Sequence, residues 1–89
     1  MPRVSFTRNL SRHVPCEARD VAGTTVREAL EAYFALNPAP RPYVLDEHAA
    51  VRRHVVIFVG GVQVEDRVRL SDTVGTGDEI TVMQALSGG

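Results

Sequence analysis

Three observations in the 89-residue sequence predict an α+β fold, a mixed sheet of four to five strands with one main helix packed on one face. Apolar residues at helical spacing follow Thr25. Residues 54–59 are apolar on both faces and run straight into Gly60-Gly61. Alternating apolar and polar residues occur near both ends of the chain, at 3–8 and at 79–84.

Along 3–8, Val4 and Phe6 fall on one face and Arg3, Ser5 and Thr7 on the other, the pattern of a half-buried strand. Asn9-Leu10-Ser11 is expected to turn the chain. Residues 13–21 are expected to be extended again, with Val14, Cys16 and Ala18 on one face and Glu17 and Arg19 pointing away. Pro15 favours an edge position there, and the two segments would form an N-terminal hairpin.

Thr25 and Glu28 have capping-box spacing, and Val26, Ala29, Leu30, Tyr33 and Phe34 make one apolar stripe at helical period. Asn37-Pro38 ends that helix. The run Pro38-Ala39-Pro40-Arg41-Pro42 predicts a stiff loop, and the polar residues through Arg53 make the connection longer than the usual ~4–6 residues.

Residues 54–59 read as the central strand, with Val55, Ile57 and Val59 facing one way and Val56 and Phe58 the other. Gly60-Gly61 fits a two-residue hairpin turn, and 62–64 a short returning strand. A polar connection carrying Leu70 and Val74 leads to the turn Gly75-Thr76-Gly77-Asp78. The last strand, 79–84, alternates Ile80 and Val82 against Thr81 and Met83. The order strand, strand, helix, strand, short strand, strand is that of a β-grasp (ubiquitin-like) roll, and the pattern also allows a ferredoxin-like variant lacking a helix. Residues 1–84 are expected to form the β-grasp domain and 85–89 a flexible C-terminal tail ending in Gly-Gly.

A chain this short closes one hydrophobic core and leaves little room for a self-contained active site. With 44% hydrophobic and 24% charged residues and a formal net charge of -1, no basic or acidic excess points to nucleic acid or membrane. Every one of the 10 basic residues is arginine, a bias that high-GC codon usage explains, and no lysine offers a side-chain amine for acylation. Cys16 is the one cysteine and the histidines number 3, which excludes an internal disulfide and is too few for a zinc site. No apolar run approaches the ~18 residues of a membrane span, and Met1-Pro2-Arg3-Val4 lacks the apolar segment of a signal peptide, so a cytoplasmic location is expected.

Most of the reactive side chains have ordinary explanations. His13, His48 and His54 are scattered, Cys16 has no base placed beside it, and Asp46-Glu47 and Glu65-Asp66 read as solvated loop charges. Gly75-Thr76-Gly77 lacks the rest of a phosphate-binding motif. Gly88-Gly89 is different. Two residues without Cβ make a thin backbone that can thread a narrow channel, and 85–89 could extend about 16 Å at roughly 3.3 Å per residue, enough to carry a terminal carboxylate into a partner's active site. Val56, Phe58 and Met83, on the strand faces opposite the inferred core, are expected to form an apolar partner surface.

The whole chain resembles the ubiquitin-like sulfur-carrier family (MoaD/ThiS-like), whose members serve molybdopterin, thiamine and cysteine biosynthesis. The resemblance is carried by Gly77-Asp78-Glu79-Ile80-Thr81-Val82 followed by Leu86-Ser87-Gly88-Gly89, by Thr25-Val26-Arg27-Glu28-Ala29-Leu30, and by Arg53-His54-Val55-Val56-Ile57-Phe58-Val59. The long helix-to-strand segment is closest in layout to the cysteine-biosynthesis type. Gln84 stands where many members carry proline, and Gly60-Gly61 replaces an Asn-containing turn.

The resemblance implies a protein co-substrate rather than an enzyme. A ubiquitin-activating-type adenylyltransferase/sulfurtransferase would adenylate the Gly89 carboxylate with ATP and magnesium, and a sulfur donor would convert it to a thiocarboxylate for a downstream sulfur-accepting synthase. A processing metalloprotease is a further implied partner. Gly88 would lend slenderness, Leu86 and Met83 would dock the root of the tail, Val56 and Phe58 would contribute partner surface, and no metal or cofactor would bind this chain. A protein modifier conjugated through Gly89 and a binding-only ubiquitin-like module are the competing readings.

Overall fold

The computed structural model describes residues 1–84. In chain order it contains β1 (Arg3–Phe6), α1 (Arg8–Ser11), β2 (Arg19–Asp20), α2 (Val26–Leu36), α3 (Arg41–Val44), β3 (Val55–Val59), β4 (Val62–Gln63) and β5 (Glu79–Gln84). One five-stranded sheet has the order β2-β1-β5-β3-β4. Strand β1 runs parallel to β5 at its centre, and the remaining neighbours are antiparallel. A parallel central pair flanked by two hairpins, with one long helix on one face, is the β-grasp roll. That register excludes the ferredoxin-like alternative.

Helix α2 forms where the sequence expects it, and its start is fully capped. The Thr25 hydroxyl accepts from the Glu28 N–H, while the Glu28 carboxylate accepts from the Thr24 N–H at 2.8 Å, one residue earlier than the usual box. The first two helical N–H groups, of Val26 and Arg27, donate to the carbonyls of Asp72 and Leu70, both at 2.9 Å. The Ala29 N–H closes on the Thr25 carbonyl, so every N-terminal orphan donor has a partner. The stripe Val26, Ala29, Leu30, Tyr33 and Phe34 is buried against Val4, Val55, Ile57, Ile80 and Val82 of the sheet. Tyr33 is fully buried, with its hydroxyl donating to the Glu17 carbonyl at 2.7 Å and its ring 5.0 Å from that of Phe6.

Three local expectations are corrected. Asn9-Leu10-Ser11 belongs to the helical turn α1, because Leu10 is fully buried and pulls the chain into the core. The extended segment 13–21 contributes only Arg19–Asp20 to the sheet. Its earlier carbonyls bond sideways to helix α2: Asn37 donates to Pro15 and Tyr33 to Glu17, so they are not offered to a neighbouring strand. The hairpin with β1 is therefore short, although Val14 and Cys16 remain buried. The connection 38–53 is not merely a loop, since Val44, Leu45 and Val51 join the core and Leu45 bridges Val51.

Two other connections depend on particular residues. Gly60 and Gly61 both have positive φ, 56° and 86°, as the tight turn between β3 and β4 requires. In the connection before β5, the Asp66 carboxylate accepts from the N–H groups of Val68, Arg69 and Ser71 and from the Ser71 hydroxyl. This fixes Leu70 at φ 56°, which lets its side chain fill the core while its carbonyl serves Arg27. The Ser71 hydroxyl, followed by the Arg69 N–H, holds the Asp66 carboxyl down to about 2.

Two predictions follow from the packing around the helix start. A Cβ on Gly23, whose φ is 152°, would lie 2.7 Å from the backbone nitrogen of Ala29. Gly23→Ala is expected to destabilise the protein by more than about 1 kcal/mol in urea unfolding. Asp66 has a folded pKa below its ordinary value of 3.8, so its contribution is complete above that value and lost as pH falls through about 2. Asp66→Ala should lower stability at neutral pH and flatten the loss of stability across that acid window; an unaltered acid limb would contradict the assignment.

Candidate functional site

Strand β5 holds the centre of the sheet, and the described chain ends on it at Gln84, paired with Val55. Its alternating side chains divide between two environments. Ile80 and Val82 are fully buried under helix α2, whereas Glu79, Thr81 and Met83 belong to the opposite face. The cross-strand register places Met83 directly opposite Val56 and Thr81 opposite Phe58. On the other flank Ser5 pairs with Thr81 and Arg3 with Glu79.

This outer face is graded along the strands. At the start of β5 it is polar: the Ser5 hydroxyl donates to the Glu79 carboxylate at 2.6 Å, and Arg3 stands 3.8 Å from Asp20. Toward the end of β5 it is apolar, with Val56 and Phe58 half-buried and Met83 38% exposed. The structure thus brings Val56, Phe58 and Met83 together on one face, with the Val56–Met83 pair one rung before the last pair of β3 with β5. Leu86, Gly88 and Gly89 lie outside the described residues.

The titratable groups form no catalytic constellation among the described residues. Among the described residues no group of three His, Cys, Asp or Glu is placed to hold a metal ion. Cys16 is buried, and that burial pushes its thiol up, away from a reactive thiolate. Burial also pushes the Tyr33 hydroxyl up. The Asp46 carboxyl is lowered by the N–H groups of Ala50 and His48, which fold its own loop. No helix among the described residues is long and apolar enough to cross a membrane.

An open pocket of about 260 Å³ lies between Arg41, Pro42, Leu45, Asp46, Glu47 and Arg52. Both of its arginines are engaged within the fold. Arg41 binds the Glu31 carboxylate and lies over the Phe34 ring at 5.8 Å, and Arg52 donates to the Pro42 carbonyl at 2.7 Å. The polar end of the outer face, Arg3, Ser5 and Glu79, was not singled out by sequence reasoning. Its signal lies in the parallel register of two segments far apart in the chain, which no local pattern carries.

No protein-family model and no curated protein matches the chain. Solved structures do. A chain of the Amycolatopsis orientalis BexX/CysO complex is 22% identical, with each chain covered over 100% of its length and a TM-score of 0.81. The small archaeal modifier protein 1 of Haloferax volcanii is 23% identical over 99% of this chain and 98% of its own, with a TM-score of 0.78. Mycobacterium tuberculosis CysO is 20% identical over 97% of this chain and 100% of its own, with a TM-score of 0.77. What the chain shares with them is the β-grasp, ubiquitin-like fold along essentially its entire length.

The two faces of the sheet differ in their mechanical importance. Ile57→Ala, which empties a buried position under the helix, is expected to cost about 2–5 kcal/mol, whereas Met83→Ala should cost less than about 1 kcal/mol. Equal losses in chemical denaturation would show that Met83 is part of the core.

Proposed function

We propose that this protein is a sulfur carrier, a protein co-substrate whose reacting group is the carboxylate of Gly89. The observation that carries the reading is the placement of β5. This strand is paired on both edges and carries Met83 beside Val56 and Phe58 on an apolar surface, and the sequence continues from its end to Leu86-Ser87-Gly88-Gly89. The whole-length likeness to CysO and to a modifier protein supports it.

The chemistry explains why such a body needs no active site of its own. A carboxylate is a poor electrophile until one of its oxygens can leave. An adenylating enzyme of the ubiquitin-activating type would join that oxygen to the α-phosphorus of ATP, releasing pyrophosphate. Sulfide attacking the acyl carbon expels AMP and leaves a thiocarboxylate. A persulfide donor attacks in the same way, and a second thiol then cleaves the S–S bond of the acyl intermediate. The thiocarboxylate is anionic at neutral pH and carries a nucleophilic sulfur for a downstream synthase making cysteine, molybdopterin, thiamine or another thio-product. The layout of the 38–53 connection favours the cysteine type, in which a metalloprotease would release the product from the carrier. The BexX/CysO complex supports the reading that the body docks on partner enzymes of this kind.

The likeness to small archaeal modifier protein 1 favours one second reading, conjugation of Gly89 to lysines of other proteins. Having no lysine, this chain cannot extend side-chain-linked chains on itself.

Incubation with an activating enzyme of this type, ATP, magnesium and sulfide should raise the intact mass by the difference between sulfur and oxygen, and deletion of Gly89 should abolish the change. An unchanged mass together with Gly-Gly remnants on target lysines would replace the carrier reading with the modifier reading.

A further inference from the structure

Arginines that form no ion pair among the described residues border the end of the sheet at Gln84. On one flank the Thr7 N–H donates to the Val82 carbonyl at 3.0 Å, which brings α1 against β5. Arg8 and Arg12, four residues apart across that helical turn, are both exposed. On the other flank Val55 pairs with Gln84, so Arg53, exposed in the turn that opens β3, lies beside the same strand end.

Charge is distributed unevenly along the sheet. Among the described residues the arginine–carboxylate ion pairs use Arg3, Arg19, Arg27 and Arg41, and none uses Arg8, Arg12 or Arg53. At the opposite end, where β1 and β5 begin, the carboxylates of Asp20, Asp78 and Glu79 stand among Arg3 and Arg19. Arg8, Arg12 and Arg53 by contrast are exposed cations around the strand end at Gln84. Three cations on a near-neutral body are few for tracking a nucleic acid backbone. They suit the rim of a protein interface whose apolar centre is the neighbouring rung, Val56 and Met83.

We propose that Arg8, Arg12 and Arg53 form a docking collar that meets an acidic surface around the channel of the enzyme adenylating Gly89, the partner named by the proposed function on which this inference rests. The collar orients the body so that its C-terminal segment enters first. Arginine suits the task doubly, because a guanidinium stays charged and protonated and offers no amine to an activated carboxyl beside it.

The test is the KM for this protein in ATP-dependent thiocarboxylate formation, measured over a range of salt with an activating enzyme that charges the wild type. The KM of the wild type should rise with salt. Combined Arg8→Ala, Arg12→Ala and Arg53→Ala should raise KM about tenfold at low salt and flatten its salt dependence, with the loss on KM rather than kcat. The corresponding triple lysine variant should keep the wild-type KM. A salt-independent wild-type KM, an alanine variant that behaves as wild type, or a lysine variant as weak as the alanine variant overturns the collar. The salt series on the wild type decides the matter even if a triple variant fails to fold. Failure to charge the wild type at all sinks the proposed function and the collar with it, whereas charging with a salt-independent KM sinks the collar alone.

Discussion

Strand β5 is hydrogen-bonded along both edges, parallel to β1 and antiparallel to β3, and that double pairing constrains everything around it. Parallel neighbours cannot be joined by a tight turn. The chain between β1 and β5 must therefore leave the sheet, cross its face and return, and α2 is the crossing element. Its apolar stripe closes the core over Ile80 and Val82, while the hairpin partners β2 and β4 occupy the two edges. Both edge strands are only two residues long, and β2 carries Arg19 and Asp20, which gives a further chain little to pair with.

The helix start is the second place where distant segments depend on one another. The connection before β5 supplies carbonyls of Leu70 and Asp72 to the first turn of α2. Arg27 in that turn donates in return to the carbonyls of Ala49, Val68 and Arg69. Ala49 and Leu70, the two non-glycine residues at positive φ among the described residues, both give their carbonyls to Arg27, one to its side chain and one to its backbone. These contacts tie two irregular segments to the helix. Such ties matter to a carrier of the proposed kind, because the body is a handle by which a partner positions a reacting group.

Among the described residues the reactive side chains serve the fold. Cys16 and Tyr33 are used as core residues, and the carboxylates with lowered pKa, Glu28, Asp46 and Asp66, each accept backbone hydrogen bonds from their own loops or caps. The outer face carries an apolar cluster at one end of β5 and polar residues at the other, and arginines without an ion pair among the described residues stand beside the cluster.

The helix, its cap, the Gly-Gly turn and the strands β1, β3 and β5 were legible because each is written in local periodicity or spacing that backbone geometry imposes. The apolar grouping of Val56, Phe58 and Met83 was legible for the same reason, since alternation assigns a face before any partner strand is known. Segment 13–21 misled because its alternation was real but its Pro15 and Glu17 carbonyls were taken by Asn37 and Tyr33, side chains at the end of a helix later in the sequence and within it. The connection 38–53 concealed Val44, Leu45 and Val51 because isolated apolar residues in a polar run have no period to reveal them. The amino-acid pattern alone was enough for helix α2, strands β1, β3 and β5, their inward faces and the Gly88-Gly89 pair. The parallel register of β1 with β5, and with it which outward side chains stand together at each end of the sheet, came only from the folded chain. Register between strands at opposite ends of the chain is set by the packing of the whole core under α2, and no local stretch of residues encodes it.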